Sequence, residues 1–190
     1  MHQFKKIYIF INDINDLISV NIVKISNIQL IYNSHDFKSE KFVKIKNFCI
    51  KNKIKFYILD NYKLAVKNRL DGIIISHNNK TIKYFGNPLC KLNKIEIIGK
   101  THSQADYFVK IKQHSKKIIL SPLFETKKYS KNNILKVIKF NLISLNWKTN
   151  PIPLGGINMK NYRYLNMVKA KTFASSSIFL REKQKKPAHF

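Results

Sequence analysis

The chain has 190 residues and a mass of 22.4 kDa, and its 36 Lys+Arg against 10 Asp+Glu give a formal charge of +26. That length suits one domain of ordinary size. Hydrophobic residues at 44% exclude a disordered basic tail, and five Gly with five Pro exclude collagen-like and Gly/Pro-rich low-complexity chains.

In chain order, the first apolar run is Lys6–Ile11 (KIYIFI). It ends in Asn and Asp with no small-residue cleavage site, so it reads as a strand and not as a secretory leader. Further short β-branched runs follow at Ile25–Tyr32, Ile54–Leu59, Asp71–Ser76 and Ile95–Gly99, then at Lys117–Ser121, Pro151–Gly155 and Lys171–Ser175. Most are apolar throughout, as strands buried on both faces of a parallel sheet are. Between them, Phe37–Asn52 has helical spacing, with Phe37, Phe42, Ile45, Phe48 and Cys49 on one side. Gln104–His114 offers Ala105, Phe108, Val109 and Ile111, and Ser130–Leu145 offers Ile134, Leu135, Ile138, Leu142 and Leu145. Asn158 is placed to cap a helix over Asn158–Val168 that buries Tyr162, Leu165 and Val168. The crossover Asn78–Asn93 is broken by Gly86 and Pro88. This alternation predicts an α/β fold, a compact TIM (β/α)8 barrel with reduced helices over residues 1–180, followed by a basic, flexible tail at 181–190. No apolar run reaches the roughly 18 residues of a membrane span, so a cytoplasmic protein is expected.

The charge first suggests nucleic acid, because Lys and Arg neutralise phosphates. Yet only Arg69, Arg163 and Arg181 are arginines, the planar group that specific recognition favours, and 33 lysines spread along the whole chain. Lys, Ile and Asn all have A/T-rich codons, and a biased genome explains their excess most simply. A non-catalytic basic module binding RNA or a phosphometabolite is the competing reading. It requires a contiguous lysine face away from the strand ends. Cys49 and Cys90 form no CxxC pair and carry no metal or redox motif.

In barrels of this kind function sits at the carboxyl ends of the strands. There, Leu154–Asn158 (LGGIN) sets a Gly pair between a strand and a helix, where backbone N–H groups can face a phosphate. Ser175, Ser176 and Ser177 at the end of the last strand add N–H and hydroxyl donors; the plainer reading is a tight turn and small packing residues. Thr126, Lys127 and Lys128 in SPLFETKK offer a hydroxyl and ammonium groups, although any loop here carries lysines. His102 in GKTHS is one of six histidines and stands where a general acid or base is needed.

Taken together, these segments resemble the thiamine phosphate synthase/TenI family of TIM barrels. The Asp71–Ile75 run (DGIII) is similar to its fourth strand and Ile97–Ser103 (IIGKTHS) to its fifth. Ser121–Lys128 (SPLFETKK) resembles its proline–aromatic–threonine–lysine loop, Pro153–Ile157 (PLGGI) its phosphate loop, and Phe173–Ile178 (FASSSI) its last strand. The resemblance implies that Gly155, Gly156, Ser176 and Ser177 bind the phosphate of a thiazole phosphate. It implies substrate contacts from Gln29, Thr126, Lys127 and Lys128, and a Mg²⁺ ligand at Asp60. Synthases of the family join the thiazole phosphate to hydroxymethylpyrimidine pyrophosphate. That half of the site departs here: the family's second-strand Arg and Lys are Ile31 and Asn33, the third-strand Asn-Asp pair is Leu59–Asp60, and the Mg²⁺-binding aspartate corresponds to Asn79. With few carboxylates in the chain, the remaining pattern is closer to the TenI branch of thiazole tautomerases, with His102 as proton shuttle, or to a degenerate synthase.

Overall fold

The computed structural model describes residues 6–15, 27–82 and 95–178. The short apolar runs form eight strands: β1 Lys6–Ile11, β2 Ile28–Tyr32, β3 Lys55–Leu59, β4 Gly72–Ile75, β5 Glu96–Thr101, β6 Lys117–Leu120, β7 Asn150–Pro153 and β8 Thr172–Ser175. All pair in parallel, in the order β7-β6-β5-β4-β3-β2-β1-β8. Strands β7 and β8 lie side by side, so the sheet is a nearly closed α/β barrel. Most of the expected crossover Asn78–Asn93 and all of the tail 181–190 lie outside the described residues. Among the described residues, no helix is long and apolar enough to cross a membrane.

Alternation along each strand sorts the side chains. Phe10, Ile31, Ile74, Ile98, Ile119 and Ile152 point into the barrel and fill its middle, while their neighbours pack outward against the helices. Full burial of such a side chain contributes about 1.5–3 kcal/mol, which makes this inner layer a large part of the stability.

Below that layer the interior is polar. The single Tyr57 O–H is shared between Gln29 Oε1 at 2.9 Å and Glu96 Oε2 at 2.6 Å. The Lys117 ammonium pairs with Glu96 and donates to the Tyr8 hydroxyl at 3.0 Å. Glu96 and Lys117 open their strands, so this network closes the amino-terminal end of the barrel. Gly72 makes room for it, since a Cβ there would stand 2.6 Å from the Tyr57 ring. Burial pushes the Glu96 carboxyl up, but hydrogen bonds from Lys117 and Tyr57 outweigh it and hold it below its ordinary value.

Four α-helices and two 3-10 segments lie among the described residues: α1 Glu40–Lys51, α2 Tyr62–Lys67, α3 Gln104–Lys112, α4 Lys136–Ser144, and 3-10 turns at Lys131–Asn133 and Tyr162–Met167. In α1 the Ser39 hydroxyl caps Phe42 N–H, Glu40 and Lys51 complement the helix dipole, and Phe42, Ile45 and Cys49 are buried as their spacing predicts. Helix α2, capped by Asn61, is a short element that the apolar spacing does not reveal.

Three helical expectations are corrected. In α3 the buried residues are Tyr107 and Lys110, while Phe108 and Ile111 are exposed. Tyr107 stacks on Trp147 at 4.3 Å, and the Lys110 stem lies against Gly99, so two amphipathic side chains take the inner face. In α4 the rotation is set by Leu135 and Lys136, whose N–H groups bind the Pro122 and Leu123 carbonyls. Phe140 is thereby buried, and Ile138, Leu142 and Leu145 face outward. Asn158 caps no helix: its Oδ1 closes a turn by accepting from Lys160 and Asn161 N–H, and the 3-10 segment follows Asn161.

Candidate functional site

The loops after β6, β7 and β8 are woven into one unit. Leu123 N–H binds the Leu154 carbonyl at 2.8 Å and Phe124 N–H binds that of Gly155 at 3.0 Å. This close approach, with φ of 104° at Gly155 and 66° at Gly156, is what requires glycine. A Cβ on Gly155 would lie 2.9 Å from Pro122 Cα, and one on Gly156 would lie 2.7 Å from the Phe124 carbonyl carbon. The Gly156 carbonyl is held by Asn161 Nδ2 at 2.7 Å.

Ser175 knots the loop after β8 to this unit. Its hydroxyl donates to the Ile157 carbonyl at 3.0 Å and accepts from Ser177 and Ile178 N–H. The Ser177 hydroxyl also binds the Ile157 carbonyl, at 3.2 Å. Both Ser177 groups expected to face a phosphate are therefore engaged within the protein. The N–H groups of Gly155, Gly156 and Ser176 donate to no acceptor among the described residues. Ser175, expected from the sequence to offer its hydroxyl to a ligand, is buried and spends it inside the protein.

His102 is reached through the same segment. Its Nδ1 lies 2.7 Å from the Ser121 carbonyl oxygen, one residue before the Pro122 that packs on Gly155. A carbonyl can only accept, so Nδ1 carries the hydrogen and Nε2 is left as an acceptor. The His77 ring meets His102 edge-on at 4.5 Å between centroids, and Tyr129 lies 6.0 Å away on the other loop. Burial lowers the His77 pKa, and the nearby His102 and Lys100 charges lower it further.

Two lysines complete the mouth. Lys100 follows Ile98 by one alternation and enters the barrel, its Nζ 5.9 Å from the Phe10 ring centroid. Burial holds its ammonium below the usual lysine range, Lys128 adds repulsion, and Asp60 offsets part of both. Lys110 is fully buried, and its Nζ donates to the Ser76 and Asn79 carbonyls at 2.6 and 2.7 Å. Burial lowers it to about 8, with Asp60 and Asp106 opposing. This ammonium fixes the segment that carries His77.

The other predicted residues are placed elsewhere or differently employed. Gln29 is buried among Tyr57 and Glu96 near the amino-terminal end, on the wrong side of the isoleucine layer for a substrate at the mouth. Thr126 Oγ1 accepts from Lys128 and Tyr129 N–H and so closes its own turn. Thr126 and Lys127 line an open cleft of about 750 Å³ together with Lys131, Lys136, Asn158 and Asn161. The Lys128 ammonium stands 5.8 Å from the Tyr129 ring. Asp60 Oδ1 accepts from Ser76 N–H and Asn79 Nδ2, both at 2.9 Å. The amide therefore turns its nitrogen to the carboxylate, an arrangement that does not fit Mg²⁺, which takes oxygen ligands. Among the described residues no three His, Cys, Asp or Glu side chains gather around a possible metal position.

No family model matches the sequence, and no curated protein matches it. Solved structures do match in fold. Thiamine phosphate pyrophosphorylase from Pyrococcus furiosus superposes with a TM-score of 0.69 at 14% identity, covering 94% of this chain and 89% of its own. For 3-keto-L-gulonate-6-phosphate decarboxylase from Vibrio cholerae the TM-score is 0.63 at 12% identity, covering 93% and 89%. The native KDPGal structure matches with a TM-score of 0.63 at 9% identity, covering 94% and 84%. At such identities the likeness is one of fold, a TIM barrel shared by enzymes of different chemistry.

Proposed function

We propose that this barrel is an enzyme acting on a phosphorylated small molecule held at the carboxyl ends of β7 and β8. Within that class we favour a thiazole phosphate ligand and a tautomerase-like proton transfer, with a degenerate thiamine phosphate synthase as the near alternative. The observation that carries the proposal is the set of three unspent N–H groups, on Gly155, Gly156 and Ser176, on two loops tied together through Ser175 and Ile157. Backbone donors on rigid loops suit a phosphate and add no desolvated charge.

The proposed chemistry is a proton shift. His102 Nε2 takes a proton from a ring carbon of the bound thiazole phosphate and returns it at another position, while the Ser121 carbonyl steadies the imidazolium through Nδ1. Ile31 and Asn33 supply no cations for a pyrophosphate, and Asn79 turns an amide nitrogen toward Asp60. These departures speak for proton transfer over coupling.

Two assays on the same preparation test this. Incubation with an isomeric thiazole phosphate should show aromatisation followed by ultraviolet absorbance. Incubation with thiazole phosphate, hydroxymethylpyrimidine pyrophosphate and Mg²⁺ should yield little thiamine phosphate. Coupling at an ordinary enzyme rate, about 1–10³ per second, would overturn the reading drawn from Ile31, Asn33 and Asn79.

A further inference from the structure

Lys100 has no task within the fold. It forms no ion pair and no hydrogen bond with any described residue, although it lies half-buried in the barrel mouth beside Phe10. By contrast Lys117, on the inward face of β6, is matched by Glu96, and buried Lys110 is matched by two carbonyls. Asp60, the acid near Lys100, already accepts from Ser76 and Asn79. An amine held against an apolar wall without a partner is a nucleophile's setting.

We propose that Lys100 condenses with the carbonyl group of a phosphorylated aldehyde or ketone bound in the barrel mouth, forming an imine at Nζ. This activity lies beyond thiazole chemistry and shares with it only the phosphate loops. The ammonium first gives a proton to solvent at the open mouth, and the free amine attacks the carbonyl carbon to make the C–N bond. The carbonyl oxygen takes up the returned proton and a hydrogen from nitrogen and leaves as water. The product is a protonated imine, so charge and atoms balance with no oxidant or reductant. Burial, which already holds the ammonium below the usual lysine range, eases the first step.

The experiment is reductive trapping on the full chain. Glyceraldehyde 3-phosphate at one equivalent is added with sodium cyanoborohydride, and the reduced adduct is located by peptide mass spectrometry. Selective trapping at Lys100, at least about tenfold over exposed lysines such as Lys139 and Lys148, is expected. An adduct spread evenly over exposed lysines overturns the proposal. So does protection by inorganic phosphate with no adduct at Lys100, which would assign the ammonium to anion binding alone. Lys100→Arg keeps the charge and should lose the selective adduct. If that variant fails to fold, the wild-type peptide map still decides.

Propanal in place of the phosphorylated aldehyde separates this inference from the phosphate reading. Equal trapping of Lys100 by both aldehydes, with no competition from inorganic phosphate, leaves the imine standing and removes the phosphate loops from it.

Discussion

The Nδ1 atom of His102 lies 2.7 Å from the carbonyl oxygen of Ser121, and that single contact sets the tautomer of the ring. With the hydrogen held at Nδ1, Nε2 has its lone pair available toward a ligand. His102→Ala should therefore cut proton transfer by about 10²- to 10⁴-fold while leaving the affinity for the phosphorylated ligand unchanged. Steady-state kinetics beside calorimetric titration measure the two separately. Retained activity would show that His102 only braces the loop.

Gly156 is the strictest backbone requirement at the site, with φ of 66° and the Phe124 carbonyl carbon 2.7 Å from where a Cβ would stand. Gly156→Ala should cost about 1–3 kcal/mol and displace the loop that offers its N–H groups. Urea unfolding should record the loss, and phosphate binding should weaken in protein that remains folded.

Acid should weaken the barrel through its amino-terminal end. The folded-state pKa of Glu96 lies below its unfolded value of about 4.3, so its contribution is present above that value and is lost as pH falls through the depressed one. Lys117 is shifted the other way: burial lowers it, but bonds to Glu96 and Tyr8 raise it net. Its share is present below the ordinary lysine pKa and fades only in alkali. Glu96→Gln should lose about 2 kcal/mol at pH 7 and show a flatter decline between about pH 5 and pH 3 in urea titrations. An unchanged acid slope would place the acid sensitivity elsewhere.

Lys110 acts at a distance from any ligand. Replacing it by Met keeps the stem against Gly99 but leaves the Ser76 carbonyl without its 2.6 Å donor. Lys110→Met should cost about 1–3 kcal/mol and loosen residues 76–79, read as faster amide exchange there. Unaltered exchange would show that Asp60 and Gln113 hold the segment unaided.

The strands were legible because those buried on both faces are continuous apolar runs, and the end of each run marked where to look for the site. Helix faces were less legible where the buried residue is not a hydrophobe: Lys110 and Tyr107 take the inner side of α3, and an apolar stripe cannot announce a lysine. Gln29 and Lys100 show what a family motif conceals. Counting alternation from Ile98 places Lys100 inward at the mouth, and counting from the start of β2 places Gln29 near the opposite end, paired with Tyr8. The exchange of roles among Ser175, Ser176 and Ser177 had no local signal, since it depends on where Ile157 of another loop ends up.

The central claim is that phosphate is held by the backbone after β7 and β8. Its most direct test is a nuclear magnetic resonance titration of ¹⁵N-labelled protein with thiazole phosphate, following the amide signals. The account predicts saturable shifts concentrated at Gly155, Gly156 and Ser176, with Ser177 moving less because its N–H is held by Ser175. Shifts confined to exposed lysine-rich helices, or none at these three amides at saturating ligand, would contradict it.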